Sequence, residues 1–254
     1  MQIFLYTIIF IMGCFFGSFC TLAVYRIPKK EDILIKHSYC PNCNHKLGFL
    51  DLFPLFSYIL LRGKCRYCKT KIRPRYFIIE LCSGLAFLLL LISLNINIYN
   101  LNMFELLFYF VYITILVIIA GIDKENIKIN ANVLLCGFFI EFAYIIYECT
   151  LKHIDVYKYV IYLIMFIILL ILSIISLKKK MKEEYFIQVL FLSLYMMIFG
   201  GGYIYILSVI LTLISIAFYK TVNKKQAKIP VGFYLSVSNI IILLITNFIC
   251  NYIM

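Results

Sequence analysis

The chain has 254 residues, of which 64% are hydrophobic and 14% charged, with a mean hydropathy of +0.99 and a net charge of +12. Soluble domains run near half apolar and a quarter charged, so this composition excludes a water-soluble globular protein and makes the bilayer the solvent. In a soluble protein the positive charge would suggest nucleic acid. Here it reads as membrane topology, because cytoplasmic loops collect Lys and Arg, and no nucleic-acid partner is expected.

In chain order, residues 1–25 carry no charge. No basic region precedes this apolar run and no small-residue cleavage site follows it, so it is predicted to be a retained first transmembrane helix. A polar, basic stretch fills residues 26–76. Seven further apolar runs follow, at about 77–94, 103–122, 131–147, 156–177, 185–199, 203–219 and 231–253. Most approach the ~20 residues that a crossing needs. The predicted fold class is an all-α integral membrane protein of about eight transmembrane helices with a small cytoplasmic zinc-binding insert.

The basic residues agree with that count. If residues 26–75 face the cytoplasm, alternate loops on that side hold 22 of the 24 Lys and Arg. The other side holds only Lys152 and Lys158. The positive-inside rule then predicts a multi-pass plasma-membrane protein, N-terminus outside and basic insert in the cytoplasm. The Lys178–Lys182 run reads as a topology determinant near anionic lipid.

Within the insert stand Cys40-Pro41-Asn42-Cys43 and Cys65-Arg66-Tyr67-Cys68. A two-residue spacer lets both thiolates of a pair reach one ion, and two such pairs complete a four-thiolate set. The cytoplasm keeps thiols reduced, which argues against disulfides. Cys40, Cys43, Cys65 and Cys68 are therefore the expected ligands of a structural zinc with no open position. His37 and His45 flank the first pair as bystanders. The other six cysteines read as small apolar residues in or near spans.

At this point the sequence resembles the prepilin peptidase family, the type IV prepilin leader peptidases. Gly17-Ser18-Phe19 with Val24-Tyr25-Arg26-Ile27-Pro28 is similar to the family's first-helix signature. Ser38 through Cys43, Pro54 through Tyr58 and Leu61 through Cys68 resemble its two zinc knuckles. Ile72 through Tyr76, with Glu80, is similar to the start of its second span. Ile229-Pro230-Val231-Gly232-Phe233 resembles its Ile-Pro-Phe-Gly-Pro. The match is dense over residues 13–80 and sparse afterwards.

The resemblance implies an integral-membrane aspartic endopeptidase. It would cut the basic leader from prepilin or pseudopilin precursors at the cytoplasmic face. It also implies possible N-methylation of the new N-terminus from S-adenosylmethionine, assigned to the zinc-bearing region. Three segments follow: the first helix (1–25), the zinc-binding, methyltransferase-like region (26–76) and a membrane peptidase-like domain (77–254).

Ile122-Asp123 is similar to the family's first catalytic aspartate, although Asn130-Ala131 stands where a Pro-Asp is expected. The second aspartate belongs to a Gly-x-Gly-Asp-x-Lys motif. Gly200-Gly201-Gly202-Tyr203 imitates its glycines, but the charge count puts these on the outer side, as a tight turn. The position with matching topology is the start of the sixth span, Glu183-Glu184-Tyr185. Glu183 and Glu184 are thus the candidates to complete a dyad with Asp123. A plain alternative is that both acids favour a helix N-terminus. Glu105 and Glu141 fall inside apolar runs close to predicted helix ends, where snorkelling accounts for them.

Three readings stay open: an active peptidase, an impaired family member that binds pilin-like helices or assembly partners, and a chain that keeps only methyl transfer. A small transporter is less favoured, because intramembrane polar residues are few.

Overall fold

A computed structural model describes residues 1–33, 37–96, 102–151, 157–176, 183–222 and 229–252. The long elements are helices: α1 (Gln2–Arg26), α3 (Arg75–Ser93), α4 (Met103–Asn126), α5 (Ala131–Leu151), α6 (Tyr157–Ser176), α7 (Glu183–Val222) and α8 (Val231–Tyr252), with a one-turn α2 (Phe56–Leu60) in the insert. Six of them are long and apolar enough to cross a membrane. At 40 residues, α7 would span about 60 Å, twice what a bilayer requires. Gly201 divides it, at φ 83° and ψ 159°, a backbone that glycine alone adopts without strain. The Gly202 N–H donates to the Tyr162 hydroxyl at 3.1 Å, which holds the turn. With α7 counted as two arms and α6 included, the described helices follow the eight apolar runs in order.

The chain forms two compact units, one built on Met1–Met103 and one on Phe104–Cys250. In the first, α1 and α3 pack at very close range. A Cβ on Gly13 would lie 2.8 Å from the Gly84 Cα, and one on Gly17 would lie 2.8 Å from the Glu80 Cα. Gly13 and Gly17 are one turn apart on one face, the small-xxx-small arrangement by which helices approach when lipid supplies no hydrophobic drive. This gives the glycine of the Gly17-Ser18-Phe19 signature its physical role. Gly17→Leu should force α1 and α3 apart at a cost of about 2 kcal/mol or more. A fall in thermal unfolding temperature in detergent, absent in a Phe4→Leu control on the exposed end of α1, is the expected observation.

In the second unit α5 and α6 both pack on α7. One expectation is corrected here. Glu141 is only 2% exposed. Helix α5 continues to Leu151, so Glu141 sits mid-helix, ten residues from its end, and cannot snorkel. The apolar run ended sooner only because Glu148 interrupts it, and Glu148 is itself buried.

Candidate metal centre and candidate active site

Two small knuckles build the candidate metal centre. In the first, the Cys40 N–H donates to the His45 carbonyl at 3.0 Å and the Asn44 N–H to the Cys40 carbonyl at 2.8 Å. In the second, the Cys65 N–H donates to the Thr70 carbonyl at 2.9 Å and the Lys69 N–H to the Cys65 carbonyl at 3.0 Å. Asn44 and Lys69 both take positive φ, 55° and 60°. The same turn is thus written twice, and each turn directs two thiols inward.

The four Sγ atoms of Cys40, Cys43, Cys65 and Cys68 lie within 4.8 Å of one another. Cys40 and Cys68 stand 3.8 Å apart, the edge of a tetrahedron with metal–sulfur bonds of about 2.3 Å. The four residues could hold a metal ion such as zinc. The hydroxyl and N–H of Thr70, with the Asn42 amide, draw the Cys68 thiol down to about 5, toward the thiolate form that binds metal. The Asn42 amide also donates to the Thr70 hydroxyl at 2.8 Å, joining the knuckles. His45 stacks on Tyr67 at 3.6 Å between ring centroids, and His37 uses its carbonyl to accept from Arg26. Neither belongs to the thiol cluster.

Arg26 explains the end of the first signature. It is buried, and its guanidinium donates to the carbonyls of Asp32 and His37, both at 3.0 Å. It thereby fixes the chain as it leaves α1. Beside it lies a cavity of about 600 Å³ whose walls include Tyr25, Arg26, Tyr39, Arg75 and Glu80.

The second site is centred on Asp123, in the last turn of α4. The helix stops three residues later, and Ile127 turns the chain with φ 51°. Asn130 then caps α5: its Oδ1 accepts from the N–H groups of Asn132 at 2.9 Å and Val133 at 3.4 Å. Asparagine is among the strongest helix N-caps, so the residue at the place of the expected proline has a structural task, while Ala131 stands at the place of the expected acid.

Asp123 is fully buried. Its Oδ2 accepts from the Tyr185 hydroxyl at 3.0 Å and from the Phe233 N–H at 2.9 Å. The Tyr185 hydroxyl in turn accepts from the Gly232 N–H at 3.3 Å. Both N–H groups belong to the first turn of α8, where backbone donors have no intrahelical partner and the dipole favours negative charge. A Cβ at Gly232 would lie 3.0 Å from Asp123 Oδ2, so a side chain there would crowd the carboxylate. Asp123 Oδ1 is buried and has no hydrogen-bond partner among the described residues.

Helix α7 begins at Glu183, so Glu183 and Glu184 precede Tyr185 directly. Their side chains lie outside the described residues. Gly200-Gly201-Gly202 stands about four helical turns along α7 from Tyr185, at the opposite end of that arm. Tyr185 itself was not anticipated. A search for a second carboxylate passes over a phenol, although the hydroxyl reaches several ångströms further from its backbone than an aspartate does. The signal was its position, the first aromatic residue after the two acids. Tyr185→Phe should remove a hydrogen bond to a charged group, about 1.5–3 kcal/mol, read as a lower unfolding temperature in detergent.

Comparisons with known proteins bear on the first unit. A family model described as the bacterial peptidase A24 N-terminal domain matches residues 11–94. The N-terminal third of this chain is thus similar to the corresponding part of prepilin peptidases. Residues in that region resemble the prepilin leader peptidase/N-methyltransferase of Vibrio cholerae serotype O1, 42% identical over 87 residues, which are 31% of this chain and 34% of the relative. The protein of that name from Myxococcus xanthus is 33% identical over 118 residues, 46% of this chain and 33% of its own. The type 4 prepilin-like proteins leader peptide-processing enzyme of Escherichia coli O78:H11 is 33% identical over 95 residues, 30% of this chain and 35% of its own. The chain thus spans about a third of the length of the curated relatives it matches. No solved structure matches.

Proposed function

We propose that the chain is a membrane-embedded aspartic endopeptidase of the prepilin leader peptidase type. It acts at the cytoplasmic face on pilin-like precursors with a basic leader. The observation that carries this reading is convergence. The end of α4, the start of α7 and the start of α8 meet at one buried carboxylate, Asp123, and each of the three had been singled out separately in the sequence. The basic insert and the basic loops of the same side fit a cytoplasmic orientation.

In the proposed reaction one ionised carboxylate takes a proton from water, whose oxygen attacks the scissile carbonyl carbon. A second, protonated carboxyl donates a hydrogen bond to the carbonyl oxygen as charge builds on it. The tetrahedral species collapses by breaking the C–N bond, and the leaving amine takes up a proton. Two close carboxyl groups share one proton because like charges push their pKa values apart. Asp123 is assigned as one member. Glu183 and Glu184 are the candidates for the other.

A second reading, an impaired member that holds pilin-like helices or keeps only methyl transfer, is favoured by one observation. Asp123 Oδ2 is already engaged by Tyr185 and Phe233, and the side chain has no exposed surface. Purified protein incubated in detergent with a prepilin separates the two. Cleavage by the unmodified chain that is lost in Asp123→Ala supports the peptidase. No cleavage, with cleavage gained in Glu184→Asp or Tyr185→Phe, supports the impaired form.

For the insert we propose a structural zinc held by Cys40, Cys43, Cys65 and Cys68. The cavity beside it, about 600 Å³, falls within the ~300–1,000 Å³ of small-molecule sites. It is the proposed place for S-adenosylmethionine, whose methyl group would pass to the new N-terminal amine. Methyl incorporation from labelled S-adenosylmethionine into a mature pilin tests this, and its absence would remove the proposal.

A further inference from the structure

The insert exposes an apolar ridge that neither proposed site uses. Phe49, Leu50, Phe56, Ile59 and Leu60 are each between 61% and 78% exposed. They belong to a 3-10 turn (Phe49–Asp51) and to α2 (Phe56–Leu60). Phe53, between them, packs edge-on against Phe15 of α1 at 5.5 Å, and is flanked by Phe49 at 6.4 Å and Phe56 at 5.5 Å. Tyr58 lies on Phe77 of α3 at 5.2 Å.

These contacts set the height of the ridge against the two spans. Gly17 meets Glu80 and Gly13 meets Gly84, so Phe15 is level with residues 80–84 of α3. That is roughly 8–13 Å along the helix from Arg75, at 1.5 Å per residue. The ridge therefore stands alongside the apolar part of α1 and α3, below the cationic start of α3. Phe15, which meets Phe53, and Phe19, one turn further along α1, are themselves exposed, so the ridge continues the exposed apolar surface of that helix.

The backbone is adapted to this depth. The chain turns at Pro54-Leu55, where Leu55 takes φ 60°, and the Leu55 N–H donates to Glu80 Oε2 at 2.9 Å. Irregular backbone at membrane depth persists only where the protein satisfies its polar groups. The acid of the first α3 turns does that here. Between residues 33 and 79 the only acid is Asp51, and Arg66 pairs with it at 2.6 Å. Arg62, Lys64, Lys69 and Lys71 follow the ridge with no acid beside them in sequence. An apolar face with cations around it is the composition of a segment lying in an anionic membrane surface.

We propose that residues 49–60 are an interfacial, re-entrant element whose exposed face lies among the phospholipid acyl chains of the leaflet next to the insert. The insert is thereby held against the bilayer by a third contact besides α1 and α3. The chain contains no tryptophan, which allows a direct test. Phe56→Trp, Leu60→Trp and, in the first knuckle, Lys46→Trp each give a single fluorophore in otherwise complete protein. The probe is a vesicle of phosphatidylcholine and phosphatidylglycerol with brominated acyl chains. Tryptophan at 56 or 60 should emit to the blue, lose about half or more of its emission to the bromolipid, and resist aqueous iodide. Tryptophan at 46 should do the reverse. Thermal unfolding in detergent confirms that each variant is folded, and Phe49→Trp replaces any that is not. Quenching of positions 56 and 60 by iodide, with bromolipid without effect, would overturn the proposal. Cover of the ridge by another protein, silent to both quenchers, would overturn it equally.

Discussion

Asp123→Asn should reduce leader cleavage by about 10³-fold or more while leaving the helices folded. The amide keeps the size of the carboxylate, and its oxygen can still accept from the Tyr185 hydroxyl and the Phe233 N–H. What disappears is the charge that accepts a proton from water, and general acid–base groups contribute about 10²–10⁴. The measurement is the rate of leader release from a prepilin in detergent, beside a thermal unfolding curve of the same sample. An unfolding temperature near that of the unmodified protein makes lost cleavage a chemical result. Undiminished cleavage would remove Asp123 from the mechanism. Asp123→Ala is less informative alone, because it also leaves the Phe233 N–H and the Tyr185 hydroxyl without their acceptor in a buried place.

Removal of the metal should unfold the insert and leave α1 and α3 packed. Residues 37–74 contain no regular element longer than the five residues of α2. Among their most buried side chains are Cys40 and Cys65, at 8% and 5% exposure, so two of the four candidate ligands belong to the small core of the insert. Structural zinc sites supply about 10–16 kcal/mol in zinc-finger peptides. Loss of even ~3 kcal/mol multiplies the open population, and with it proteolysis, by ~10². The Lys and Arg of the insert make trypsin a sensitive probe. Cleavage between residues 37 and 74 should accelerate on chelation and in Cys65→Ser, while the spans stay protected. The Gly13 and Gly17 contacts with α3 do not pass through the thiols, so they should survive. An unchanged digestion pattern after chelation would show that the insert folds without a metal.

Much of the helical architecture is legible in the sequence, because each membrane-length helix is a long apolar run. The break in α7 at Gly201 falls within the Gly200-Gly201-Gly202 run for a local reason, the backbone freedom of glycine. The knuckles read correctly because thiol spacing is itself geometry. The less legible features share a cause: they depend on partners distant in sequence. Tyr185 matters only because α4 and α8 bring Asp123 and Gly232 to its hydroxyl. Glu141 is buried because α5 continues past the interruption at Glu148. The ridge at 49–60 escapes a hydropathy reading because Asp51 and Pro54 break it, it is too short to cross, and basic residues surround it. Its depth comes from contacts with the two helices, Phe53 on Phe15 and Tyr58 on Phe77.

The position of Phe233 has a further meaning. In the family pattern that the C-terminal motif resembles, the corresponding residue is proline, which has no N–H to offer. A comparison of letters counts Phe233 as a departure. In this chain the same exchange supplies the main-chain donor that reaches Asp123 at 2.9 Å. Such a bond belongs to the backbone and not to the phenylalanine, so almost any residue could follow at 233 without breaking it. The contact thus rests on the one part of position 233 that a substitution, proline apart, leaves unchanged.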